Sequence, residues 1–208
     1  MAYNGSGSVL PLVLLGILWL SWAALLFGGL LTGKPSAADG RRMPTWTRMA
    51  SSLALVAASW TVALMSRQAP LAATARWVAV GMTFGLLGDL LLAKLLPIDE
   101  PLPFGMGAFG LGHIAYIVGL LIYGVSVAAG AAGLRLAAWL AWLVIGVVGW
   151  RLAVYRPQRV TALTWAALGY ALLLASTAGV ATGLALTQPR MAPVAIGAVA
   201  IDGGQRQC

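Results

Sequence analysis

Apolar residues run along this chain in blocks of about twenty, broken by short polar or proline-rich stretches. That length matches the hydrocarbon core of a bilayer crossed by one helix. The blocks predict spans at about Val9 to Leu31, Met49 to Met65, Trp77 to Leu96, Phe104 to Val127, Leu134 to Val154 and Ala162 to Leu186. Pro97, Asp99, Glu100, Pro101 and Pro103 break the run between the third and fourth, since proline and charge both oppose a continuous helix there. Gly130 to Gly133 reads as a tight turn, and the polar loop TGKPSAADGRRMPTWTR separates the first two spans. A seventh apolar run begins near Met191 and stops at Ile201. As helix it would reach ~16 Å, about half of the ~30 Å hydrocarbon thickness. It is expected to be a half-span or a truncated one.

Composition agrees. Of the 208 residues, 61% are hydrophobic and 9% charged, with mean hydropathy +0.90; soluble domains carry about 25% charged residues. The expected fold is an all-α integral membrane protein of about seven spans, one helical domain over residues 1–208, and multi-pass in the cell membrane. The net charge of +8 lies in short loops, where it faces anionic lipid and gives no case for a nucleic-acid partner. Loops 1–2, 3–4 and 5–6 hold eight basic residues against four in the others, which puts the odd loops in the cytoplasm and the N-terminus outside. Trp19, Trp22, Trp46, Trp77, Trp139, Trp142, Trp150 and Trp165 read as an interfacial aromatic belt. Cys208 stands alone and can close no intrachain disulfide.

Against this background Asp89 is conspicuous. It stands in TFGLLGDLLLAKLL, inside a predicted span. A carboxylate in hydrocarbon costs several kcal/mol unless it is paired, wetted or protonated. The next run carries the sole histidine, His113. From the expected span limits both groups lie ~10–14 Å from the same membrane face, on antiparallel neighbours. Phe109, His113 and Tyr116 share a helical face. A neutral acid beside imidazole, or a carboxylate–imidazolium pair, would each suit general acid–base chemistry, and the sequence leaves both open. Tyr116 could bond either group or a polar headgroup.

Other features are secondary. Gly81, Gly85 and Gly88 line one face, and Gly105, Gly107, Gly110 and Gly112 thin the next span; small residues permit close helix approach in lipid or leave room for a ligand. Arg48, Arg156, Arg159 and Lys94 are candidate phosphate partners at a membrane face. Asp99 and Glu100 are expected to be solvated. One histidine and scattered acids make a poor metal-ligand set, so neither metal nor cofactor is expected. No G-x-S-x-G frames a serine nucleophile.

The blocks GMTFGLLGDLLL (Gly81–Leu92) and GAFGLGHIAYI (Gly107–Ile117), with RRMPTWTR before the second span, resemble the YhhN-like membrane proteins, a family that includes the lysoplasmalogenases. The resemblance extends over nearly all of the chain. It implies an eight-helix membrane enzyme that hydrolyses the vinyl ether bond of lysoplasmalogens, with a membrane lipid or lysophospholipid as substrate. It carries the family's Asp, His and Tyr onto Asp89, His113 and Tyr116. Two stretches depart from the family pattern. A Lys–Pro pair expected near the start of the second span is replaced by Ser51, Ser52 and Leu53, and the seventh run has Asp202 three positions early. The alternative readings are a small-molecule or proton-coupled transporter and a catalytically inert family member. A retinal receptor is excluded by the lack of a lysine within the late spans.

Overall fold

The computed structural model describes residues 6–33, 43–67, 71–127, 132–188 and 191–196. Among them every regular element is helical: α1 (Ser6–Thr32), α2 (Thr45–Met65), α3 (Leu71–Leu92), α4 (Pro101–Val127), α5 (Ala132–Ala153), a 3-10 turn at Pro157–Arg159, and α6 (Ala162–Thr187). Six of these helices are long and apolar enough to cross a membrane. The protein is an all-α, multi-pass membrane protein. Of the expected seventh span, residues 192–196 are helical; its remainder, with Asp202 and Cys208, lies outside the described residues, as do Lys34, Arg41 and Arg42 of the first loop and Gly130 of the glycine turn.

Several span limits differ from the sequence expectation, and four of the differences have a local reason. Helix α2 starts at Thr45, directly after Pro44, so Arg48 belongs to its first turns and not to the loop. Helix α3 starts at Leu71, which places Arg76 inside the helix, where its long stem leaves the charged head exposed. Helix α4 starts at Pro101, because proline lacks an N–H exactly where a first helical turn has no use for one.

The fourth difference matters most. Helix α3 ends at Leu92 although apolar residues continue to Leu96. Lys94 takes φ 57°. The Leu95 N–H donates to Leu90 O at 3.1 Å and the Lys94 N–H to Leu91 O at 3.0 Å. This is a Schellman closure with lysine where glycine is usual, and nothing in the residue type announces it. Asp89 therefore sits three residues from the helix end, not seven.

The chain groups into two compact units, Met1–Gly112 and His113–Cys208. In the first, α1 packs on α2 and α2 on α3. The first half of α4 lies close along α3: a Cβ on Gly112 would stand 3.0 Å from Gly81 O, and one on Gly88 would enter the Phe109 ring at 2.7 Å. At Gly88 the missing side chain makes room for Phe109 rather than for a ligand. In the second unit α5 packs on α6, with Gly179 against Trp139 and Gly183 against Arg135. Trp150 is buried there and donates to Thr164 O at 2.9 Å, so it is a core residue and no part of an interfacial belt. Trp19, Trp46, Trp77 and Trp165 keep exposed rings.

Candidate functional site

Two polar clusters stand out, one within each unit. In the first, Ser52 of α2 donates its hydroxyl proton to Asp89 Oδ2 of α3 at 2.5 Å. Asp89 is half-buried. Arg48, one helical turn before Ser52, acts electrostatically on the same carboxylate. Its guanidinium Nε and Nη2 are buried and have no hydrogen-bond partner among the described residues. Arg48 near an N-terminus, and Asp89 when ionised near a C-terminus, each oppose the helix dipole. Their mutual attraction offsets this. Ser51 is buried beside them and donates to Arg48 O at 2.8 Å; Thr47, also buried, donates to Pro44 O at 2.7 Å.

Two grooves on the α2–α3 surface belong to the same unit. One, of about 350 Å³, is walled by Trp60, Val80, Thr83, Phe84, Leu86, Leu87 and Leu90. The other, about 330 Å³, is flanked by Arg67 and Arg76. Asp89 lines neither.

The second cluster surrounds His113, which is 7% exposed. Its Nδ1 lies 3.0 Å from Thr177 Oγ1 of α6. The rings of Tyr116 and Tyr170 meet the imidazole edge-to-face, with centroids at 5.7 and 5.9 Å and planes at 86° and 75°. Such geometry sets the positive edge of one ring against the face of the other. His113 and Tyr116 are thus together, as their helical spacing predicts. Asp89 belongs to the other unit, with Ser52 and Arg48. Asp89 stands three residues before the end of α3, and His113 twelve residues after the start of α4.

Three participants were not singled out from sequence as site residues: Ser52 as partner of Asp89, and Thr177 and Tyr170 around His113. Ser52 had a signal, because it stands where the family resemblance leads one to expect Lys–Pro. Thr177 and Tyr170 had none, being two of many hydroxyl-bearing residues in an apolar helix. Among the described residues no group of three or more His, Cys, Asp or Glu is placed to hold a metal.

The sequence model of the YhhN family matches residues 43–201. The chain belongs to that family, and the match takes in both clusters while α1 precedes it. No curated protein and no solved structure matches the chain.

Proposed function

We propose that this YhhN-family protein is a lipid hydrolase of the cell membrane that cleaves the vinyl ether bond of lysoplasmalogens. The products are a fatty aldehyde and a glycerophospho-alcohol. The observation that carries the reading is Asp89: a carboxyl group within a span, held by Ser52 and accompanied by a cation. Vinyl ether cleavage begins with proton transfer to the β-carbon of the enol ether, which leaves an oxocarbenium ion. A carboxyl group can deliver that proton, and the resulting carboxylate stabilises the cation formed.

Water then bonds to the carbon attached to oxygen and gives up a proton. The hemiacetal collapses: the C–O bond to glycerol breaks, the glycerol oxygen gains a proton, and the hemiacetal hydroxyl loses one as the aldehyde forms. One proton is returned to the acid, so the cycle closes without a cofactor. In this scheme Asp89 is the acid, His113 takes the water proton and Tyr116 orients the polar end of the substrate. Arg48, with two buried guanidinium nitrogens that have no hydrogen-bond partner among the described residues, suits a phosphate oxygen, which guanidinium binds through paired donors.

The test is product analysis. Purified protein is given a lysoplasmalogen and, separately, an ester lysolipid of equal chain length. Aldehyde release from the first alone is expected. Fatty acid without aldehyde, or neither product, overturns the reading.

A further inference from the structure

The hydrogen bonds around Thr177 constrain more than its position. Thr177 is 7% exposed, and its hydroxyl donates to Leu173 O, one turn earlier on α6, at 3.0 Å. A hydroxyl has one proton to give and two lone pairs to offer. With its proton directed to Leu173, Thr177 Oγ1 faces His113 as an acceptor. The donor across the 3.0 Å contact must then be the imidazole Nδ1. A neutral imidazole carries a single N–H, so its Nε2 is left with a lone pair. Tyr116 and Tyr170, standing nearly perpendicular to the ring, oppose the flip that would exchange the two nitrogens.

We infer that Thr177 is the positioning residue for His113: it holds the imidazole as the Nδ1–H tautomer and presents Nε2 as the proton acceptor. The tautomer stands on the hydrogen-bond geometry alone; its catalytic use rests on the reading under Proposed function. In that reaction the water oxygen pair forms the new C–O bond while one water proton moves to Nε2. The imidazolium later returns that proton to the departing glycerol oxygen. A base in the other tautomer would offer its lone pair to a threonine that has no proton for it. This is the ordinary reason that the partner of one ring nitrogen decides the work of the other.

The chain has one histidine, so ¹⁵N-histidine labelling of the full-length protein reports a single imidazole. At a pH where the ring is neutral, an amine-like Nδ1 and an imine-like Nε2 signal are expected. Thr177→Val should shift the ring toward the Nε2–H form, and Thr177→Ser should restore Nδ1–H. With lysoplasmalogen as substrate, Thr177→Val should lower kcat by about 10- to 100-fold with little change in KM, the usual scale for losing a partner that orients a histidine; Thr177→Ser should recover most of it.

An Nε2–H ring in the wild type overturns the inference with no variant required. So does an Nδ1–H ring that persists in Thr177→Val. If wild-type protein releases no aldehyde yet shows the Nδ1–H ring, the tautomer assignment stands and the proposed reaction falls.

Discussion

The polar cluster around Asp89 is ionic in its residue types, and the one around His113 is neutral in its partners. Around Asp89 the partners are a serine and an arginine, and both charged residues stand within a turn or so of a helix end. Around His113 the partners are a threonine and two tyrosine rings, with His113 and Thr177 each at least ten residues from either end of its helix. The difference follows from the cost of desolvation. A full charge inside a span is expensive and is held near a helix end with a counter-charge. A neutral imidazole needs only its hydrogen bonds satisfied and can sit in mid-helix. Arg48 and Arg135, one in each unit, both stand fourth in their helices, and each keeps Nε and Nη2 buried with no hydrogen-bond partner among the described residues. Arg135 is steadied by one bond, from Nη1 to Gly124 O at 3.3 Å.

If this contrast reflects function, the ionic cluster should be the more sensitive. Asp89→Asn keeps an acceptor for Ser52 but can supply no acid, so aldehyde release should fall by on the order of 10³-fold or more, while thermal stability in detergent is unchanged or higher. A melting temperature that drops together with activity would assign Asp89 to folding instead. His113→Ala should cost less, about 10²-fold in kcat. Asp89→Asn/His113→Ala together then sharpen the comparison: a loss no larger than that of Asp89→Asn alone means that the two residues serve one step, because members of a catalytic unit are not additive.

Packing should give the next largest effect, and in the second unit. A Cβ at Gly179 would lie 2.8 Å from the backbone Cα of Trp139, which cannot move cheaply. Gly179→Ala should therefore lower stability by about 1–3 kcal/mol, the usual range for overpacking. Gly169, on the same helix with open space around it, is the control, and its alanine variant should be neutral or slightly stabilising. Equal losses at both positions would refute the close α5–α6 contact. The smallest effect belongs to the first unit. Lys94→Gly relieves a left-handed lysine and should raise stability by about 1 kcal/mol; an unchanged melting temperature would argue against the closure that ends α3 beside Asp89.

Sequence reasoning located the spans because twenty apolar residues in a row have few other fates. It also picked out Asp89, His113 and Tyr116, since ionisable and aromatic polar groups are conspicuous against such a background. It misplaced the end of α3 because hydropathy continues past Leu92, whereas the helix stops where Lys94 turns left-handed. That four-residue shift brings Asp89 within a turn of the end of its helix.

The chain by itself determined a helical membrane protein of the YhhN family, and which of its few ionisable groups sit in spans; both are properties of local composition and of blocks of neighbouring residues. Only the tertiary structure decided that Ser52 and Arg48 attend Asp89 and that Thr177 and Tyr170 attend His113. Those pairs are 37 and 41 residues apart for Asp89 and 64 and 57 apart for His113. Each is made by helix faces meeting, and a single sequence records the faces without recording which of them meet.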